Sequence, residues 1–336
     1  MYRIDGFAHA WPPRVTPRPL MTVASLSRAL AAVVYVSEGR RTVVLDAIER
    51  VARDASLKNR VALVNVFVDR EYNRTGFTLA GAHTDGIANT ALDIAKKSLE
   101  LIDFSTHDAT HPRLGVVDHV SCHELRGERD AGAALARNIG RGLGDQGVPV
   151  KLYGDAASDK VGLAEIRRRA GYFSGSKEGR WMGDGGLREL AFEYGPSEMS
   201  SKIGFGCVGA VPWVCNYNVP LTFTFDAGVD ADERMRRALA FGRAAAKCVS
   251  ERGGGLPSVQ SMALPHGDRV EVACNLLDMD VTSTADVQRA TESTVASINA
   301  WDYLGVGSTV RVDQGYVTNQ TPESMLEAIA ALERGS

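Results

Sequence analysis

The order of predicted elements most constrains how this chain can fold, because the same order occurs twice. A buried strand over 31–36 is followed by apolar residues at helical spacing, and two strands then come at 61–68 and 76–81. A helix over 85–104, with apolar residues three and four apart, leads to a strand that begins near Leu114. The first half of the chain therefore has the order strand, helix, strand, strand, helix, strand.

The second half of the chain repeats this order. A strand over 213–225 precedes a helix, a hairpin turns at 265–268, and a helix near 284–303 leads to a strand near 308–312 and a final helix at 322–333. A doubled split βαβ order predicts an α/β (α+β) fold of two ferredoxin-like βαββαβ subdomains. We expect the two sheets to face each other across a cleft.

The boundary between the predicted subdomains follows from composition. We place the first subdomain at 31–190 and the second at 191–336, joined within 184–205, because the stretch 174–186 is rich in glycine and poor in apolar residues. Residues 1–30 are basic and rich in proline, so we assign them to a leader outside the fold. An organellar transit peptide is the alternative for this leader, although its prolines oppose an amphipathic helix.

Composition and charge exclude several classes of protein. The chain has 44% hydrophobic and 24% charged residues, which is typical of globular proteins, and none of its apolar runs approaches the length of about 18 residues that a membrane span needs. Its net charge of −3 gives no global reason to bind nucleic acid. Its five cysteines lack metal-binding spacing, which favours buried thiols in a reducing compartment. We therefore expect a cytoplasmic protein that binds neither nucleic acid nor membrane.

Histidines concentrate in the stretch 104–124, which contains four of the seven in the chain. Pro112 disfavours the helical conformation for His111, so the imidazole should lie on an extended segment ahead of a strand, beside Arg113. An imidazole next to a guanidinium suits acid–base chemistry on an anionic substrate. We therefore single out His111 as a candidate catalytic residue, and a structural histidine is the alternative. A structural role is expected for His83, His107 and His266.

Two further motifs allow other kinds of site. The stretch GFGCVG (204–209) fits a dinucleotide-binding fingerprint, but Pro212 and the strand after it leave no helix where such a site needs one. His119 and His123 share one face of a strand but lie about 13 Å apart along it, at about 3.3 Å per residue. That separation is too large for one zinc ion. A nicotinamide site and the metal site of an amidohydrolase-like enzyme therefore stay minor alternatives.

Seven short motifs follow one another along the chain. They are YVSEGR (35–40), YNRTGFTLAG (72–81), HPRLGVVD (111–118), VPVKLYGDAA (148–157), YGPS (194–197), GA…NYN (209–218) and VACNLLD (272–278). In order and spacing this series resembles the formiminotransferase domain of formiminotransferase-cyclodeaminase, and the resemblance covers nearly everything after Ala31. It implies a stand-alone formiminotransferase-like protein without the cyclodeaminase half. It also implies two α/β subdomains that face each other across a folate-binding cleft, and a homodimer.

The resemblance implies an activity and a set of site residues. The family moves a formimino group from formiminoglutamate to N5 of tetrahydrofolate, so folate as co-substrate and a formiminoglutamate-like donor are the expected small-molecule partners. The catalytic base of the family corresponds to His111. Asn73, Arg74 and Arg113 are the matching candidates for binding folate and orienting carboxylates, and Asn218 would lie across the cleft from them.

Two departures from the family pattern leave an alternative function open. The pair of aspartates that the family carries before its NRT motif falls on Asn65 and Phe67, and Asp69 is the nearest substitute. The basic pair of the second subdomain is replaced by Val211 and Pro212, which removes positive charge from where an anionic ligand could bind. The alternative is a folate-binding protein that has lost formiminotransferase activity.

Overall fold

The computed structural model describes most of the chain as two β-sheets with helices packed on them. The glycine-rich stretch 174–186 and the first 22 residues of the predicted leader lie outside the described residues. The fold begins before the predicted start at residue 31, because Leu26 is buried and the first strand begins at Ala29. The described residues are 23–109, 111–127, 130–171, 190–226 and 228–334.

The first half forms the predicted βαββαβ unit. The central strand β1 pairs antiparallel with β3 on one side and β4 on the other, and β2 pairs with β3, which gives the strand order β2-β3-β1-β4. This is the split βαβ arrangement. The elements are β1 (Ala29–Val36), α1 (Thr42–Asn59), β2 (Ala62–Asp69), β3 (Arg74–Gly81), α2 (Thr84–Leu101) and β4 (Val117–Arg126).

Two more strands extend this sheet beyond the βαββαβ unit. After α3 (Ala131–Asp145), β5 (Val150–Gly154) and α4 (Leu163–Arg169), the chain returns as β6 (Gly206–Ala210). Strand β6 lies between β4 and β5 and runs parallel to both. The first sheet therefore continues past the predicted boundary at 190/191, and the chain changes sheet only between β6 and the next strand. In the sequence, the glycine-rich stretch that suggested a junction falls between β5 and β6, two strands of the first sheet.

The second half has the same strand order, β10-β7-β9-β8, with a short strand β11 that also pairs with β7. Helix α5 begins at a capped end, because the Asp230 carboxylate accepts from the Glu233 N–H. The predicted helix near 284–303 is two helices, because Asn299 leaves the helical conformation and caps a second one. The elements are β7 (Cys215–Thr224), α5 (Ala231–Val249), β8 (Val259–His266), β9 (Arg269–Leu276), α6 (Thr284–Ser297), α7 (Ala300–Leu304), β10 (Thr309–Val312), β11 (Tyr316–Val317) and α8 (Pro322–Arg334).

Strand alternation gives each sheet one face toward its helices and one inner face toward the other sheet. In β1, Leu30 and Val34 join the core beneath α1, α2 and α3, whereas Ala31 and Tyr35 lie on the inner face. Helix α8 covers one part of this inner face, because its Met325 belongs to the same buried cluster as Ala31. Helix α4 packs Ile166 near Tyr153 and covers another part. These two helices therefore cover different parts of the inner face of the first sheet.

The inner faces of the two sheets meet directly. In the second sheet, Val219 and Val272 pack toward α5 and α6, so Asn218 and Glu271 lie on the inner face. The hydroxyl of Tyr72, in the turn between β2 and β3, donates to Oε2 of Glu271 at 2.9 Å. The prediction of two βαββαβ units with facing sheets is therefore confirmed. None of the helices in the described ranges is both long and apolar enough to cross a membrane.

Candidate active site

His111 lies on the segment that leads into β4, at the inner face of the first sheet. It is 7% exposed. Its Nδ1 lies 2.8 Å from the Pro112 carbonyl and its Nε2 lies 3.3 Å from a guanidinium nitrogen of Arg74. Because a carbonyl can only accept, Nδ1 carries the proton and donates it, which leaves Nε2 as the acceptor for Arg74.

The surroundings of His111 keep its ring neutral. Burial and the positive charges of Arg74 and Arg113 hold the pKa of His111 well below its ordinary value. At neutral pH the ring therefore has a lone pair on Nε2. A neutral imidazole with an acceptor nitrogen on the inner face has the properties of a general base.

Arg74 is positioned by aromatic rings and by one carboxylate. Its guanidinium lies 5.6 Å from the ring centroid of Tyr35 and 5.0 Å from that of Tyr72. It also lies 3.8 Å from the Asp69 carboxylate. A Cβ at Gly76 would come within 2.9 Å of the Tyr35 ring, so only glycine lets that ring lie flat on β3 beneath the guanidinium. The side chain of Arg74 is 15% exposed, so it is open to a ligand at one end.

Arg113 lies in a buried ionic cluster next to the site. It is 1% exposed, its Nε donates to Ser37 Oγ at 3.1 Å, and its guanidinium lies 3.4 Å from Asp118. The same carboxylate lies 2.9 Å from His119 and 3.0 Å from Arg167. Burial acts to raise the pKa of Asp118, but these cations and the His119 hydrogen bond hold it well below its ordinary value. Arg113 thus acts on His111 through its charge, and a direct contact with folate stays a prediction.

Asn73 joins two loops beside the site. Its Oδ1 accepts from the Gly39 N–H at 2.8 Å and its Nδ2 donates to the Asp108 carbonyl at 2.9 Å. Its backbone has a φ of 45°, a left-handed conformation that asparagine tolerates better than most residues. The amide of Asn73 therefore fixes the turn from which Arg74 extends.

Asn218 lies across from these residues, on the inner face of the second sheet. Its Nδ2 donates to Glu271 Oε2 at 2.7 Å, and the Tyr316 hydroxyl donates to Oε1 at 2.5 Å. With Tyr72 from the first subdomain, three donors surround one carboxylate that is 2% exposed. The sequence analysis did not identify Glu271. It is the single charged residue in the strand sequence VEVACN (270–275), and a lone charge in an apolar strand indicates that the charge has a buried partner.

His266 is a second residue that sequence reasoning did not assign to the site. Its Nε2 lies 3.6 Å from Asp69 Oδ1 and its Nδ1 lies 3.9 Å from Glu271 Oε1. The contact with Asp69 raises the pKa of His266, burial opposes this, and the negative charge of Glu271 adds to the rise. Burial acts to raise the pKa of Asp69, but His266, the Tyr72 N–H and Arg74 lower it. Both groups therefore favour their charged forms.

Asp69 offers a carboxylate where the family's aspartates were expected to be missing. The register of β2 against β3 pairs Asn65 with Thr78, Phe67 with Gly76, and Asp69 with Arg74. Residues two apart in a strand point to the same face, so all three β2 residues lie on the inner face. Asp69 is the one of the three that reaches Arg74 and His266.

The other histidines of the cluster have structural contacts. His119 stacks on Tyr35 with ring centroids 4.6 Å apart, and burial lowers its pKa to about 4. Nδ1 of His123 lies 3.0 Å from the Val211 carbonyl. Within the described parts of the chain, no group of three or more histidine, cysteine, aspartate or glutamate residues is placed to hold a metal ion.

Comparison with known proteins identifies the family of this chain. Residues 29–211 match the family described as formiminotransferase domain, N-terminal subdomain. The chain is 36% identical to the formiminotransferase cyclodeaminase-like protein of Arabidopsis thaliana, over 88% of this chain and 94% of that protein. Among solved structures, the periplasmic protease PqqL of Escherichia coli matches 80% of this chain and 34% of that chain with 9% identity. Its TM-score of 0.18 is too low to inform the fold.

Two other relatives have transferase names. Formimidoyltransferase-cyclodeaminase of Sus scrofa is 29% identical over 76% of this chain, and the match spans 45% of that relative. Glutamate formimidoyltransferase of Streptococcus pyogenes serotype M1 is 27% identical over 74% of this chain and 77% of its own length. The family match covers more than half of the sequence and the Arabidopsis relative nearly all of it. This chain therefore belongs to the formiminotransferase family.

Proposed function

We propose that this protein is a folate-dependent one-carbon transferase that moves a formimino group from a formiminoglutamate-like donor to N5 of tetrahydrofolate. The observation that carries the proposal is the state of His111. Its Nε2 faces Arg74 as a neutral acceptor, and its pKa is held down by burial and by neighbouring cations. Transfer to an amine needs such a base.

The chemistry assigns a role to each nitrogen. N5 of the folate attacks the formimino carbon and must lose its proton as the new C–N bond forms, and Nε2 of His111 accepts that proton. Arg74 donates to this nitrogen in the structure, so the incoming N5–H takes its place. The released guanidinium is then available for a glutamyl carboxylate, a pairing that is frequently bidentate.

Substrate binding uses the residues that frame this position. Arg74 supplies a partly exposed guanidinium, and both substrates carry carboxylates. We retain Asn73, Arg113 and Asn218 as proposed folate-binding residues. Asn73 precedes Arg74, and Arg113 acts on His111 through its charge. Asn218 shares the Glu271 carboxylate with Tyr72. Their amide and guanidinium groups already have protein partners, so we expect them to shape the cleft more than to bind directly.

The carboxylate that assists the reaction is, in this proposal, Asp69. It lies near both Arg74 and His266 on the inner face. A carboxylate in this position can orient the two cations next to the base. This position supports transferase activity over the alternative of a folate-binding protein without activity.

Assembly and location form a separate part of the proposal. We propose a homodimer in the cytoplasm, with small-molecule substrates and without a nucleic-acid partner. Light scattering on the purified protein tests the dimer, and a mass of one chain would reject it.

One experiment tests the function itself. Isothermal titration with tetrahydrofolate is followed by an assay of formimino transfer from formiminoglutamate. We expect binding and turnover. Binding without turnover would favour the folate-binding alternative, and an absence of binding would reject both functions.

A further inference from the structure

A second imidazole reaches the site from the other subdomain. The ring of Tyr72 lies 5.2 Å from that of His111 and 5.0 Å from that of His266, measured between centroids. The two imidazoles are therefore no farther apart than these two distances together. This bound places both imidazoles around the same tyrosine, where the two sheets meet.

The charged groups around these two rings have opposite signs. Three guanidinium groups act on His111, and they favour its neutral form together with burial. Carboxylates act on His266 from β2, from the turn after it and from β9, and they favour its protonated form. Environments that separate two titratable groups in this way are typical of a base paired with an acid. The cations are Arg74, Arg113 and Arg167; the carboxylates are Asp69, Glu71 and Glu271.

We propose that His266 is the general acid of the transfer, which protonates the nitrogen of the departing glutamate. This proposal rests on the proposed function, and it concerns the second half of that reaction. The geometry supports it, because His266 faces Tyr72 and Asp69 at the place where the two sheets meet.

The step is balanced in protons and electrons. Attack by N5 forms the new C–N bond while the electron pair of the formimino C=N bond moves onto the imino nitrogen, and the N5 proton passes to Nε2 of His111. The bond between the formimino carbon and the glutamate nitrogen then breaks with its electron pair on that nitrogen, and a proton from His266 completes the amine. The C=N bond to the imino nitrogen re-forms, and the formimino group is now attached to N5. His111 ends the cycle protonated and His266 neutral.

The exposure of the two rings fits this cycle. His266 has a side chain that is 33% exposed, whereas His111 is 7% exposed. Solvent can therefore return a proton to His266 after each turnover. An aliphatic amine is too basic to leave efficiently without a proton, so this acid is needed most for a glutamate donor.

The test compares wild type and His266→Gln with two donors. One is formiminoglutamate; the other is the formimino derivative of 5-aminoisophthalate, which keeps two carboxylates but releases a weakly basic arylamine. We expect turnover by His266→Gln to fall about 10²–10⁴-fold with formiminoglutamate and less than about tenfold with the aryl donor. An equal loss with both donors, or no loss, would overturn the role of His266. His83→Gln, at the N-cap of α2, is the matched control and should keep full turnover.

A second readout needs the natural donor alone. Since His266 must be protonated to act, wild-type kcat should fall as the pH rises through its raised pKa, and His266→Gln should lack that basic limb. Thermal unfolding of each variant corrects kcat to the folded fraction. A basic limb that survives in His266→Gln would overturn the assignment even with an active enzyme. Wild-type protein that transfers from neither donor would instead reject the proposed function.

Discussion

Nε2 of His111 lies 3.3 Å from the guanidinium of Arg74, although 37 residues separate them in the chain. The contact puts a permanent positive charge beside the nitrogen that would accept a proton. Positive charge disfavours a second positive charge, so Arg74 contributes to the low pKa of His111.

Arg74→Gln should therefore raise the pKa of His111. The base acts when neutral, so activity is lost as the pH falls through this pKa, and a higher pKa moves the acid limb of the kcat profile to higher pH. The pH dependence of kcat measures this, and KM for formiminoglutamate should rise as well because a carboxylate partner is lost. An acid limb at the wild-type position would contradict the assignment of that limb to His111.

His111→Asn should lower transferase turnover by about 10²–10⁴-fold. The asparagine amide can still donate to the Pro112 carbonyl as Nδ1 does, but it has no counterpart of Nε2. Loss of a base acts on the transition state, so the affinity for folate should change little. Turnover per folded molecule and folate titration check this. A lower melting temperature with weaker folate binding and unchanged turnover would show a structural histidine instead.

Glu271→Gln should destabilise the contact between the two sheets. The carboxylate accepts from Tyr72, Asn218 and Tyr316, and an amide nitrogen in place of one oxygen cannot accept. A buried donor left without an acceptor costs about 1–3 kcal/mol, which the urea midpoint reports. Asp268→Asn on the same hairpin is the control, because its side chain is 94% exposed. Equal midpoints for the two variants would show that the contact contributes little.

His119→Asn should reduce the sensitivity of the fold to acid. Burial lowers the pKa of His119 to about 4, whereas an unfolded histidine titrates near its ordinary 6.5. Between these values the unfolded chain binds a proton that the native state does not, so native stability falls as the pH decreases from 6.5 to 4. Asparagine keeps a donor toward Asp118 but does not titrate, which should remove about 3 kcal/mol of that loss. Urea unfolding at pH 7 and pH 4 measures the difference, and equal losses in both proteins would contradict it.

The sequence predicted the elements of both subdomains because apolar spacing depends on local geometry. It did not predict that β6 belongs to the first sheet. Strand β6 is short and glycine-rich, and its position depends on close packing against its neighbour β5. A Cβ at Gly209 would come within 2.4 Å of the Tyr153 ring. A run of small residues in a strand indicates that another element packs closely against it, but it does not identify that element.

For the candidate site, the sequence identified residues that stand in a local motif. His111 and Arg74 stand in such motifs, and the structure brings them into contact. Glu271 was missed because its partner Tyr72 is 199 residues away. Alternation indicates which face a strand residue occupies, but not what approaches that face from another subdomain.

The position of Asp69 has a consequence for how relatives of this protein are compared. Because side chains in a strand return to one face every second residue, a carboxylate can migrate along β2 by two or four positions and still point toward the same substrate. A column-by-column alignment scores Asn65 and Phe67 as losses, while the inner face of the sheet keeps a carboxylate at Asp69. Divergent members of such a family are better compared by the face of the strand on which the carboxylate lies than by the alignment column in which it stands.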